Sequence, residues 1–146
     1  MYMTYKIVRE HNLVVEYYEG DIGIHDIIAN KTKLSKEADF RSTDNMILDL
    51  RHANVQMDKN GLQKIVAFYK SQKVFQDERK VVYLTSKPGE VVNTILFSKE
   101  VEEYRMRPQT VSTFEAAILF LSIDGLEKLQ LNNIIEELKE SNNTSQ

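Results

Sequence analysis

Apolar residues recur along this chain with two periods, one close to 2 and one close to 3.6. Tyr5-Lys6-Ile7-Val8 and Leu13-Val14-Val15-Glu16-Tyr17-Tyr18 are rich in β-branched and aromatic residues, which predicts two strands. Glu10-His11-Asn12 between them reads as a hairpin turn, because asparagine tolerates positive φ. Gly20-Asp21-Ile22-Gly23 is expected to break the second strand. Ile24, Ile27, Ile28 and Leu34 follow at helical spacing, with Asp26 in the first turn where a carboxylate complements the helix dipole. The polar stretch from Asp39 to Asp44 ends that helix.

Met46-Ile47-Leu48-Asp49-Leu50 is almost continuously apolar, as an interior strand covered on both faces requires. After a loop, Asp58 caps a helix whose core face is Leu62, Ile65, Val66 and Tyr69. Val81-Val82-Tyr83-Leu84 is a second interior strand. Ser86-Lys87-Pro88-Gly89 opens a further helix with Val91, Val92, Ile95 and Leu96 inward. Two readings compete for the last strand, Tyr104 to Met106 and Gln109-Thr110-Val111. Ser112-Thr113-Phe114-Glu115 reads as a capping box before a helix that turns Phe114, Ala117, Ile118 and Leu121 inward. Asp124 to Glu140 carries Leu131, Ile134, Ile135 and Leu138 on one stripe, and Ser141 to Gln146 is expected to fray. This order predicts an α/β fold: a mixed sheet of four or five strands, a leading antiparallel hairpin, then alternating helices and strands with right-handed crossovers. The expected division is a domain over 1–123 and a C-terminal amphipathic helix with a polar tail over 124–146.

Composition narrows the function classes. The 146 residues suit one domain, and a net charge of −3 offers no basic stripe for a phosphate backbone, so no nucleic-acid partner is expected. The chain has no cysteine, which removes disulfides, thiolate chemistry and cysteine-based zinc sites and fits a reducing compartment. The opening residues lack the basic and apolar regions of a signal peptide. The longest unbroken apolar run, Ala116 to Leu121, falls far short of the ~20 residues of a membrane span. These readings together predict a cytoplasmic protein.

The stretch from Leu48-Asp49-Leu50 to Met57-Asp58-Lys59-Asn60-Gly61-Leu62 resembles the central segment of STAS domains, in the SpoIIAA-like (STAS/SEC14-type) family. In the anti-sigma-factor antagonists of that family an apolar strand ends in Leu-Asp-Leu, and Met-Asp-Ser-Ser-Gly-Leu opens the next helix. Met57-Asp58 and Gly61-Leu62 match at the same spacing, and the element order matches over Tyr5 to Ile123. The resemblance implies a SpoIIAA-like sheet and a regulatory, protein-binding role. It implies no serine phosphoswitch here, because Asn60 stands where those antagonists carry the phosphorylated serine and Lys59 precedes it.

The candidate residues follow from position. Asp58, Lys59, Asn60 and Gly61 lie at a helix N-terminus, where unpaired N–H groups could meet a partner's carboxylates or amides; a plain Asp58 cap with a solvated loop is the alternative. Thr85, Ser86 and Lys87 follow a strand and open a helix, a place where anions can be held, although no Walker or dinucleotide glycine pattern is present; plain capping of that helix is the favoured alternative. Asp49, Arg51 and His52 sit at or just past the end of a parallel strand, the edge that ligands favour in open α/β sheets. They could move protons, or Asp49 could simply hold the loop and pair with Arg51. His11, His25 and His52 share no metal-ligand spacing, so no metal is assigned, and no cofactor is expected. The leading expectation is a non-catalytic binding module with a protein partner, and a homodimer through Leu131, Ile134, Ile135 and Leu138 is one way to cover the last stripe. A small apolar ligand or lipid-binding domain and a small enzyme using Asp49 and His52 are the alternatives.

Overall fold

The hairpin forms where the sequence places it. In a computed structural model describing residues 1–87 and 106–144, β1 (Tyr2–Val8) pairs antiparallel with β2 (Leu13–Ile22), in register from Tyr2 with Glu19 to Val8 with Leu13. A short 3₁₀ turn over Arg9–His11 joins them, and Asn12 takes the left-handed conformation at φ 49°, its N–H donating to the Arg9 carbonyl. The second strand does not break at Gly20. It runs through to Ile22, with Gly20 at φ +87° beside the Met1 backbone; a Cβ there would stand 3.2 Å from the Met1 nitrogen. Glycine thus keeps the strand going past a close approach. Gly23 instead caps α1 (Ile24–Ser35), and Asp26 in the first turn accepts from the Gly23 N–H.

Three parallel strands follow, β3 (Asn45–Val55), β4 (Arg79–Leu84) and β5 (Met106–Val111). The sheet order is β1-β2-β3-β4-β5. The mixed five-stranded sheet with its leading hairpin and covering helices is the architecture expected from the sequence. Of the two readings for the last strand, Gln109 to Val111 lies inside β5 together with Met106, while Tyr104 lies outside the described residues, as does the helix expected from Pro88 onward. Pro108 sits in β5, the kind of edge strand where proline's missing N–H is tolerated.

Two apolar layers sandwich the sheet. One is closed by α1 and by α2 (Lys59–Ser71), which brings Ile65, Val66 and Tyr69 down; Leu62 is half-buried. The other is closed by α3 (Phe114–Leu121) and α4 (Lys128–Thr144). The cap of α3 is Thr113, whose hydroxyl accepts from the Ala116 N–H, so the expected reciprocal pairing of Ser112 with Glu115 does not form. Phe114, Ala117 and Leu121 are buried and Ile118 is half-buried.

The last helix begins later than its sequence suggests. Ser122 and Gly125 both adopt positive φ, so the chain turns through Asp124 before α4 starts at Lys128; the helix then continues to Thr144 in place of the frayed tail expected from Ser141. Leu131, Ile134, Ile135 and Leu138 are buried against the chain's own sheet and α3. The stripe is thus covered within the chain. Each such side chain is worth roughly 1.5–3 kcal/mol when fully buried.

Candidate functional site

The carboxyl ends of β2, β3 and β4 form one rim, and the sequence-derived site residues gather on it. Expected to stop at Leu50, β3 continues to Val55 because the longer β2 gives it a partner, His52 opposite Glu19 and Val55 opposite Ile22. Between those pairs and the Tyr17–Asp49 pair, Leu50 and Arg51 together face the single residue Tyr18. This is a β-bulge in a parallel ladder, and it re-aims the side chains beyond it. Met46, Leu48 and Leu50 point into the layer under α1 and α2, and after the bulge Ala53 and Val55 do so. Strict alternation would have sent His52 into that layer with Leu50. The bulge places it on the opposite face, with Asp49 and Arg51.

That face does not make an acid–base pair. Asp49 is fully buried, and both its oxygens are held by Arg51: Nε at 2.9 Å and the backbone N–H at 3.1 Å on Oδ1, and Nη2 at 2.9 Å on Oδ2. The carboxylate raises the guanidinium pKa further, and the guanidinium lies 4.7 Å over the Phe114 ring at the start of α3. His52 is exposed, with its ring 6.4 Å from that of Tyr17. The Tyr17 hydroxyl donates to Glu19 at 2.8 Å, and burial together with that carboxylate raises its pKa. Asp49, saturated by Arg51, is a brace between β3 and α3.

Elsewhere on the rim the polar groups are also tied down. Asn54 donates to Asp21 at 3.0 Å, and the Gln56 N–H returns to the Ile22 carbonyl, so the end of β3 is fastened to the end of β2. Thr85 is buried and its N–H donates to Val111 of β5, whereas Ser86 is exposed. The Lys87 ammonium, considered as an anion contact, donates to the Ala53 carbonyl at 2.6 Å and so links the end of β4 to β3. Asp58 caps α2 by accepting from the Gly61 N–H at 2.7 Å, as expected. Gly61 is buried beside Ile24 of α1. Lys59 and Asn60 are exposed, and neither side chain has a hydrogen-bond or ion-pair partner among the described residues. Among those residues no cluster of three or more histidine and carboxylate side chains could hold a metal ion.

A second polar cluster lies inside the layer under α1 and α2, and sequence reasoning missed it. Glu16 is wholly buried and accepts from the Tyr18 hydroxyl at 3.0 Å, the Asn30 amide at 3.0 Å and the ammonium of Lys31. Burial lowers the Lys31 pKa, against the pull of the Glu16 carboxylate. Arg79 is buried nearby, stacked between Phe40 and Phe75, with Nη2 donating to the carbonyls of Ser42 and Val74. Burial lowers its pKa to about 10. The sequence did carry a signal: Lys31 stands four residues after Ile27 and three before Leu34, on the apolar stripe of α1. A lysine there is either a break in the stripe or one half of a buried pair.

No protein-family model matches the chain, and no curated protein matches it. Among solved structures it is similar to the anti-sigma factor antagonist SpoIIAA in its unphosphorylated form, with 14% identity and a TM-score of 0.48, over 86% of this chain and 100% of that one. Among the described residues no helix is long and apolar enough to cross a membrane.

Proposed function

We propose that this protein is a non-catalytic binding module that meets a protein partner with the start of α2, through Lys59 and Asn60 on the frame made by Asp58 and Gly61. The observation that carries this reading is the contrast on the rim. Asp49, Arg51, Asp21, Lys87 and Asp58 are each held by another group of the chain, whereas Lys59 and Asn60 stand exposed beside a capped and packed helix end. A rigid scaffold that presents a few unengaged polar side chains suits recognition better than proton transfer. The match of Met57-Asp58 and Gly61-Leu62 to the STAS segment supports the same surface. With Asn60 in place of the serine, control of binding would come from the partner's side.

The test is capture from source-cell extract with the intact chain and with a Lys59→Glu/Asn60→Arg variant. The intact chain should recover a protein in stoichiometric amount, and the variant should lose it with an unchanged melting temperature. Equal recovery by both, or a stoichiometric small molecule extracted from the purified protein, would overturn the reading.

A further inference from the structure

We propose that the outer edge of β1 takes up an extended, basic segment of a partner protein as an added strand. This surface is separate from the start of α2 and does not depend on the reading given above.

The first support is the edge itself. β1 is the terminal strand of the sheet and pairs on one side only among the described residues. Its ladder with β2 is unbroken from Tyr2 to Val8, without a bulge or a proline. Every second residue of such a strand turns its N–H and C=O outward, ready to pair with another chain. The opposite edge is guarded by Pro108 in β5.

The second support is the surface flanking that edge. Between β1 and α4 lies an open groove of about 370 Å³, with Val8 and Ile134 at its base and Leu129, 67% exposed, on its wall. Glu10 and Glu127 line it without a partner among the described residues, and Glu137 is held by Lys6 at 3.1 Å. On the other face of β1, Glu37 accepts from the Tyr5 hydroxyl and Asp39 from Arg9, with Lys33 over the Tyr5 ring. The carboxylates Glu10, Glu127, Glu137, Glu37 and Asp39 thus outnumber the cations Lys6, Arg9 and Lys33 around this edge. An acidic segment would be repelled. A strand with lysine or arginine at alternate positions would set them toward Glu10 and Glu127, while main-chain hydrogen bonds supply the affinity.

The probe is a short capped peptide of alternating lysine and valine, added to the full-length ¹⁵N-labelled protein at low salt. Amides of β1 should exchange about tenfold more slowly with the peptide bound. Methylating alternate peptide nitrogens along one edge keeps the charge but removes the donors, and should abolish the protection. The Glu10→Lys/Glu127→Lys variant should bind about tenfold more weakly at an unchanged melting temperature. Equal binding of the methylated peptide would show charge attraction alone. Equal binding of a glutamate–valine peptide, protection centred away from β1, or concentration-dependent doubling of mass with β1 protected and no peptide present would each overturn the proposal, the last by making a second copy the occupant.

Discussion

Under α1 and α2 the sheet buries Glu16, Lys31 and Arg79 among tyrosine and phenylalanine rings, whereas under α3 and α4 it buries mostly aliphatic side chains, with Asp49 as the one buried carboxylate among the described residues there and its partner Arg51 half-exposed at the margin. Apolar packing is non-directional and tolerates small shifts of a helix. The Glu16 carboxylate has no such latitude, because Tyr18, Asn30 and Lys31 must all reach it at once. The polar layer therefore specifies where α1 sits along β2, and the aliphatic layer mainly supplies stability. Deleting one partner should hurt most in the first layer, and deleting volume should hurt in the second.

The largest effect expected is from Lys31→Ala, which leaves Glu16 buried without its cation and should cost about 3–5 kcal/mol in urea unfolding. Replacing both partners, as Glu16→Leu with Lys31→Met, should restore most of that loss while broadening the amide spectrum of α1 if the pair fixes its register. A double variant as unstable as the single one would erase the contrast between the layers. On the other side, Leu131→Ala should cost about 2–5 kcal/mol by cavity formation, and Leu131→Met less than about 1.5 kcal/mol.

Alkaline pH separates the layers further. Burial raises the pKa of Tyr18, Tyr69 and Tyr83, with the Glu16 charge adding to it, and all three lie in the polar layer. Above pH 10 the unfolded chain ionises these tyrosines while the folded chain keeps their protons, so stability falls as pH rises. Each contributes about 1.4 kcal/mol per pH unit at full separation. Arg79, lowered to about 10 from 12.5, acts in the opposite direction through that window. Lys31 does so only up to its ordinary value of 10.5. Beyond pH 10.5 these three tyrosines, joined by the more exposed Tyr5 and Tyr17, oppose one arginine, and the melting temperature should drop, less steeply in Tyr83→Phe. The smallest effect should come from Asp58→Ala, which removes the α2 cap at a cost of about 1 kcal/mol, measured by the same unfolding.

The elements whose signals are local were legible in the sequence. Asn12 announces a turn, Asp58 a cap, and the stripe from Leu131 to Leu138 a covered helix face. What escaped depends on distant partners. Arg51-His52-Ala53-Asn54-Val55 reads as a polar loop, and becomes strand only because β2 persists past Gly20 to pair with it. Arg79 opens β4 as an ordinary charge, yet it is buried by Phe40 and Phe75, which no local pattern assigns to it. At the candidate site the Asp58 cap and the Asp49–Arg51 pair were among the readings the residues allowed. The capture of Lys87 by Ala53 of a neighbouring strand was not.

Pro108 also bears on how copies of this molecule could aggregate. A fibre built by sheet extension needs two receptive ends, so that each added molecule offers a fresh one. Joining β1 of one copy to β5 of the next would bring the ladder onto a position with no N–H to give. Joining β1 to β1 uses up both open ends in a single step. Strand-mediated self-association would therefore terminate at two molecules instead of propagating, and replacing Pro108 by valine is the substitution expected to remove that stop.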